Sequence, residues 1–232
     1  MEDPTRIPRV LEQLRRTWEG QPELPLATLF GVLANRGVGW GTTDEELIKM
    51  LDDEHLLHPA SLPLSSTGTS EGTFLVTTVE PAMSITVAPE HVVVRAARSR
   101  KSQPALWAYE KLRPTGPGRP LVITDLEGID HRYGVVSLIT RLDVGEAPGL
   151  HGLERADISN AMWLVHFRDG TRMIIGHTLG VWESSQREVH YSSLSWSRIV
   201  SCTPGEEFAY LPASGGGHRP LGVVDSVVLI EL

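Results

Sequence analysis

The densest group of side chains able to bind a metal or transfer a proton lies in one short segment. Three carboxylates and an imidazole fall within seven residues, namely Asp125, Glu127, Asp130 and His131. Carboxylate and imidazole ligands suit divalent cations, and Asp125 and Glu127 share one face of an extended segment. The pattern is compatible with a metal-dependent hydrolase or nuclease. A turn between two strands would have the same composition, and no EF-hand pattern or nuclease lysine accompanies it.

The segment 95–119 is strongly basic and holds a single acidic residue, Glu110. Its candidate binding residues are Arg98, Arg100, Lys101, Trp107, Tyr109, Lys111 and Arg113. Cations interleaved with aromatic rings suit phosphate neutralisation and base stacking, so a nucleic-acid-binding accessory factor is one hypothesis. A solvated loop with a short helix near 104–112 is another. A third is a segment held by charge against the acidic N-terminal region.

Other candidate chemical groups lack their usual context. His166, His177 and His190 lie in successive predicted strands, but they lack His-x-x-x-His spacing, and no Gly-x-Ser-x-Gly elbow accompanies the nearby serines. Cys202 is the only cysteine, so no intrachain disulfide forms, and its apolar strand predicts a buried thiol. Trp182 is a candidate interface anchor, because indole rings are common at interfaces. We expect no cofactor.

Composition limits the class of protein further. The chain has 232 residues, 41% of them hydrophobic, and a formal net charge of −8. An acidic chain disfavours nonspecific attraction to nucleic acid. No run of eighteen apolar residues predicts a membrane span, and the N-terminus lacks the basic and apolar regions of a signal peptide. These features predict a cytoplasmic protein of unknown oligomeric state.

Helical spacing governs the first fifty-odd residues. A first helix is predicted over 5–18, with its apolar side chains facing inward, namely Ile7, Val10, Leu11, Leu14 and Trp18. A second helix is predicted over 26–35. Thr43 and Glu46 form a capping-box pattern that begins a third. Together they predict a small three-helix cassette.

These helices resemble a known family. The matching residues run from Ile7-Pro8-Arg9-Val10-Leu11 through Leu14 and Trp18 to Pro22-Glu23-Leu24, Leu29 and Asp44-Glu45-Glu46-Leu47. This stretch, about a fifth of the chain, is similar to the small bacterial YihD-type helical family. The resemblance implies a helical fold for residues 5–54 and transfers no site residue.

The remainder of the chain is predicted to form β-strands. Short β-branched runs predict ten strands, at 73–79, 84–87, 92–96, 121–124, 133–142, 162–167, 172–177, 188–191, 198–202 and 223–230. Asp169-Gly170 predicts a type I′ hairpin turn. The predicted fold class is α+β, with a three-helix cassette at 1–56, a linker at 57–72 and a mainly antiparallel barrel or sandwich at 73–232. The segment 95–119 is a basic insertion in that domain.

Two predicted strand segments have similar sequences. Gly134 to Ile139 reads Gly-Val-Val-Ser-Leu-Ile, and Gly222 to Ile230 begins Gly-Val-Val-Asp-Ser-Val. A duplicated β unit would explain the likeness. Chance convergence of buried strands on Val, Ile and Leu is the explanation that the sequence favours.

The functional hypothesis follows from the modular composition and the lack of an assembled catalytic motif. We predict a non-catalytic binding, adaptor or regulatory protein of the bacterial cytoplasm. It would engage a protein partner through its β domain and its acidic helical cassette. A metal-dependent hydrolase or nuclease, and a nucleic-acid accessory factor using 95–119, are the alternatives.

Overall fold

The computed structural model describes residues 4–99, 101–184 and 188–232. Three helices precede fourteen strands in these ranges, so the predicted α+β class with an all-β C-terminal part is confirmed. The chain forms two compact units. One contains Met1–Val94 and Leu106–Leu142, and the other contains Arg95–Ala105 and Asp143–Leu232. No helix in the described ranges is long and apolar enough to cross a membrane.

The helices lie close to their predicted positions, at α1 Arg6–Glu19, α2 Leu26–Asn35 and α3 Asp44–Leu57. The capping box is confirmed. The Thr43 hydroxyl accepts the Glu46 N–H at 3.3 Å, and the Glu46 carboxylate accepts the Thr43 N–H at 2.8 Å. These two bonds satisfy backbone donors that the first turn of α3 leaves without helical partners.

The first sheet contains seven antiparallel strands. They are β1 Phe74–Val79, β2 Met83–Val87, β3 Val92–Ala96, β4 Ala105–Trp107, β5 Tyr109–Leu112, β6 Pro120–Asp125 and β7 Asp130–Arg141. Their order across the sheet is β4-β3-β2-β1-β7-β6-β5. A continuous apolar core covers one face and includes the fully buried Val76, Ile85 and Ile139.

The second sheet also contains seven strands. They are β8 Met162–Phe167, β9 Arg172–Ile175, β10 Leu179–Ser184, β11 Val189–Leu194, β12 Trp196–Ser201, β13 Glu207–Pro212 and β14 Arg219–Glu231. Their order is β11-β10-β9-β8-β14-β13-β12. If the strands of each sheet are numbered from one to seven along the chain, the two sheets have the same strand order. Each sheet is a four-strand meander followed by a three-strand meander whose last strand pairs with the first.

The pairing register repeats as well as the order. Both long strands contain a bulge three residues after a glycine. In β7, Ser137 has no partner in β1 and follows Gly134, whereas in β14, Asp225 has none in β8 and follows Gly222. Both glycines have positive φ, +54° and +134°, so each strand changes direction at the same point before its bulge.

The turn before the sixth strand of each sheet is also repeated. Gly118 follows Pro117, and its N–H donates to Val136 O at 2.8 Å. Gly205 follows Pro204, and its N–H donates to Val224 O, also at 2.8 Å. Equivalent residues therefore lie about 88 positions apart, with the same turn and the same bond. Convergence of apolar strands does not account for this, and the chain contains a structural duplication.

Three sequence expectations need correction. Residues 104–112 form β4 and β5 instead of a short helix. The segment 57–72 packs on the first sheet, where Leu62 is buried in the core and its N–H donates to Thr115 O at 2.9 Å. The hairpin at Asp169-Gly170 exists, but only Gly170 has positive φ, so its turn is not type I′.

Candidate functional site

The predicted acidic cluster lies at the hairpin between β6 and β7. His131 Nε2 and Asp125 Oδ2 are 2.7 Å apart, and Asp125 Oδ1 accepts the N–H groups of Glu127 and Ile129 at 2.9 Å each. The bond from His131, followed by these backbone donors, lowers the pKa of the Asp125 carboxyl. Asp125 thus remains ionised and stabilises the turn.

The second carboxylate of this hairpin is also occupied. Asp130 accepts the Thr124 hydroxyl at 2.8 Å and forms an ion pair with Arg113. The Thr124 bond is the main cause that lowers the pKa of Asp130. In the ranges that the structure describes, no three His, Cys, Asp or Glu side chains are grouped so as to hold a metal ion. The hairpin therefore shows turn chemistry and no ligand cage.

The ring of His131 contacts Trp107, with centroids 5.1 Å apart. Trp107 belongs to the edge strand β4 and His131 to β7, so the first sheet curls enough to bring these strands together. The register puts Pro212 and Arg219 at the second-sheet positions equivalent to Asp125 and His131. The Asp125–His131 pair is thus an addition to the repeated scaffold.

The candidate basic residues are divided between the two units. Arg98 and Lys101 belong to the second unit, whereas Trp107, Lys111 and Arg113 belong to the first. Lys111 lies 3.8 Å from Glu110, and Arg113 pairs with Asp130.

Arg100 lies outside the described residues. Tyr109 is only 5% exposed, so its ring is not available to stack on a base.

Two further candidates are buried. Trp182 is 3% exposed and its indole N–H donates to Lys101 O at 2.9 Å, so it is part of the interior of its unit. Cys202 is buried as expected, and burial raises its pKa to about 12. A thiol with that pKa is protonated and unreactive at neutral pH.

The surface that sequence reasoning missed is on α1. The helix buries Gln13 and Thr17, and it leaves Ile7 and Leu11 more than half exposed. Trp18, on the same side of the helix as Leu11, is 38% exposed. The expected inward orientation is therefore wrong for these three residues. It holds for Leu14, which packs on the core of Leu29, Leu33 and Leu51, because α1 turns inward a mixed face that includes Gln13 and Thr17.

Hydrogen bonds explain this orientation. The Thr17 hydroxyl contacts both Gln13 O and Leu51 O at 2.9 Å, which joins α1 to α3. Gly20 lies so close to the end of α3 that an added Cβ would be 2.0 Å from His58 O. A signal was present in the sequence, since Gln13, Thr17 and Gly20 have the spacing of one helix face.

A buried carboxylate joins the three helices. Glu54 of α3 is 1% exposed and accepts Gln21 Nε2 at 2.8 Å. Arg36, which follows α2, forms an ion pair with Glu54 at 2.6 Å. His58 Nδ1 lies 3.2 Å from Ile139 O and so joins α3 to β7 within the first unit. These bonds fix the face of α1 that is turned to solvent.

The helical region consequently exposes more large apolar side chains than it buries. Among the described residues 4–57, the buried ones are Leu29, Leu33 and Leu51. The exposed ones are Ile7, Leu11, Trp18, Phe30, Trp40 and Leu56. Trp40 is fully exposed in the loop between α2 and α3. Soluble proteins seldom expose so many aromatic and aliphatic groups in a small region unless the region contacts a partner.

Comparison of the chain with protein-family models, with curated proteins and with solved structures finds no match.

Proposed function

We propose that the chain is a non-catalytic protein-binding or adaptor protein that contacts a protein partner through the exposed apolar side chains of α1. One observation carries the proposal: α1 buries Gln13 and Thr17 and presents Ile7 and Leu11 to solvent. Helices that bind in a partner's apolar groove present their anchors at this kind of spacing. Burying one such side chain contributes about 1.5–3 kcal/mol.

Trp18 adds an anchor whose position is fixed in advance. Its indole N–H donates to Leu24 O at 2.7 Å, while the ring remains 38% exposed. A ring held before binding loses less conformational entropy when a partner covers it. Tryptophan is also among the residues most enriched at the energetic centres of interfaces.

Several charges beside this apolar face are paired within the helices. Arg15 contacts Glu12 at 2.6 Å and Glu19 at 2.5 Å, and Arg6 lies 3.3 Å from Asp44. This pairing removes Arg6 and Arg15 as free positive charges, while the anchors themselves, Ile7 and Leu11, are apolar. We therefore expect a partner with an apolar groove, and an affinity that changes little with salt. Phosphate recognition would instead weaken steeply with salt.

The catalytic alternatives receive less support from the side-chain contacts. Asp125 and Asp130 are occupied by hydrogen bonds of their own hairpin. The single cysteine is buried. We retain the bacterial cytoplasm as the proposed location and a YihD-like helical region as part of the proposal. The lone cysteine is compatible with a reducing compartment.

The test is site-specific photo-crosslinking in cells that express the full chain. A benzophenone amino acid replaces Leu11 in one variant and Thr28, an exposed residue of α2, in the control. We expect one protein to crosslink from position 11 and not from position 28. Leu11→Glu should weaken the purified complex about tenfold or more, because a carboxylate then replaces an apolar contact.

The matched control is Thr28→Glu, which adds the same charge at an exposed helical position and should leave affinity unchanged. Circular dichroism establishes that both variants fold. The proposal is overturned if position 11 yields no protein that position 28 lacks. It is also overturned if folded Leu11→Glu binds as tightly as the unaltered chain, or if binding falls steeply between low and high salt.

A further inference from the structure

Each sheet has two edges, and two of the four edges are covered in the same way. In the first sheet, the Leu112 N–H of β5 donates to Gly68 O at 2.8 Å. In the second, the Ile199 N–H of β12 donates to Leu153 O at 2.9 Å. The segment before the first strand of each repeat thus occupies the outer side of its fifth strand.

The other two edges differ between the repeats. Strand β4 has three residues and directly follows Pro104. Short edge strands and adjacent prolines limit pairing with another chain. Strand β11, at the equivalent edge, has six residues and pairs with β10 along its whole length, from Val189↔Ser184 to Leu194↔Leu179.

The outer side of β11 has no covering segment in the described ranges. No backbone hydrogen bond outside its ladder with β10 reaches residues 189–194 there. In an antiparallel pair, every second residue directs its N–H and C=O away from the partner strand. Strand β11 therefore presents a row of unpaired backbone groups, which is a template for another strand.

Sequence protection is also missing from this edge. Strand β11 reads Val-His-Tyr-Ser-Ser-Leu and contains no proline, lysine, arginine or carboxylate. Val189 is 51% exposed. Edges that remain monomeric usually contain a charge, a proline or a bulge. Within the described part of the chain, three edges are covered or shortened and the fourth, β11, is not.

We propose that two copies of the chain associate by antiparallel pairing of β11 with β11 of the second copy, across a two-fold axis. A second copy necessarily supplies an open edge of the same length. The pairing is also acceptable electrostatically, because β11 has no group that is charged at neutral pH except by histidine protonation. If the pair is centred on Tyr191, His190 lies opposite Ser192 of the second copy. If it is centred on Ser192, His190 lies opposite Leu194, so in neither register do the two copies of His190 face each other.

The rest of the chain opposes association, which gives a distinguishing property. Each copy has a formal net charge of −8, so two copies repel each other at low ionic strength. Salt screens that repulsion and leaves the backbone bonds intact. We expect the dimer to become tighter as sodium chloride is raised from about 20 to 300 mM.

The test is sedimentation velocity of the full chain over a range of concentrations. The unaltered chain should form a dimer that salt strengthens. Val189→Lys combined with Ser193→Lys should weaken association about tenfold or more, because the two positions face each other in the register centred on Tyr191 and like charges lie close across the pair in the register centred on Ser192. Ala105→Lys, at the short β4 edge, is the matched control and should dimerise normally.

Hydrogen exchange of the unaltered chain gives a readout that does not depend on any variant folding. Amides of residues 189–194 should exchange more slowly as the protein concentration rises. The proposal is overturned by a monomer at every concentration and salt level, or by exchange in β11 that is independent of concentration. It also fails if the folded double-lysine variant dimerises normally, or if Leu11→Glu, and not the β11 variant, abolishes the dimer.

Discussion

Trp196 donates its indole N–H to the carbonyl oxygen of Gly176 over 2.8 Å, and both residues are buried. Tyr109 makes the same bond in the first sheet, from its hydroxyl to Ala88 O at 2.8 Å. In each repeat, the first residue of the fifth strand reaches the residue that follows the second strand. Two chemically different donors thus serve one position, which indicates that the repeat preserves the bond and not the residue.

Tyr109→Phe should lower the free energy of unfolding by about 1–3 kcal/mol, because it leaves the buried Ala88 carbonyl without a donor. The same hydroxyl also accepts the Ser70 N–H at 3.0 Å. Urea unfolding followed by circular dichroism measures the change. Tyr133→Phe is the control, since its hydroxyl has no hydrogen-bond partner in the described ranges. Equal stability of the two variants would contradict this account of the Tyr109 bond.

Gly134→Ala should destabilise the first unit by about 2 kcal/mol or more, because φ is +54° and an added Cβ would lie 2.4 Å from Val79 O. Gly222→Ala should cost less. Its nearest contact is 3.4 Å, although φ is also positive. Gly217→Ala, with no atom within 4 Å, should be neutral. Thermal unfolding measures the stability loss of the three variants. A different order of losses would contradict the conclusion that Gly134 and Gly222 are required for the change of strand direction before each bulge.

Stability should fall as the pH decreases from about 7.5 to 5.5. Burial is the main cause that lowers the pKa of four histidines, namely His55, His58, His91 and His166. The unfolded chain then binds more protons than the folded chain in this range, so acidification favours unfolding.

His58→Gln should flatten this pH dependence. Burial is the main cause that lowers the pKa of His58. The Glu54 carboxylate, 3.9 Å away and also paired with Arg36, opposes this shift only in part, so the folded chain still disfavours the charged ring. The melting temperature of both proteins, measured at five pH values, provides the comparison. A parallel pair of curves would eliminate His58 as a contributor.

Cys202 should resist alkylation by iodoacetamide at pH 8 in the folded protein and react fully in urea. Burial raises its pKa to about 12, so almost no thiolate is present at pH 8. Mass spectrometry gives a single signal, because the chain has one cysteine. Rapid labelling of the folded chain would mean that this strand opens locally.

Local sequence patterns predicted all three helices and most strands, but four strands were not predicted. The Thr43 capping box and the spacing of the second helix predicted α2 and the start of α3 correctly. Strands β4, β5, β10 and β13 were not predicted, because they are short or contain residues with weak strand preference. For β5, Tyr-Glu-Lys-Leu buries its first and last residues and exposes the two between them, so it lacks the alternation that marks a strand and only its pairing with β6 identifies it.

The duplication was visible in the sequence only as Gly-Val-Val. Equivalent positions otherwise differ in residue type, as Tyr109 and Trp196 do, because packing and backbone bonding tolerate several side chains at one place. Shared order, bulge and turn establish the repeat, and each of these requires knowledge of which strands pair.

By itself, the sequence determined the α+β class, the positions of the helices, most strands and the burial of Cys202. Those features depend on local periodicity and on apolar content. Tertiary structure alone decided that α1 turns Leu11 outward, that Tyr109 and Trp182 are buried, and that β11 ends its sheet. A periodic pattern defines a face, but only the surface it meets determines whether that face is covered. For α1 the deciding contact is the Thr17 hydroxyl on Leu51 O, thirty-four residues away.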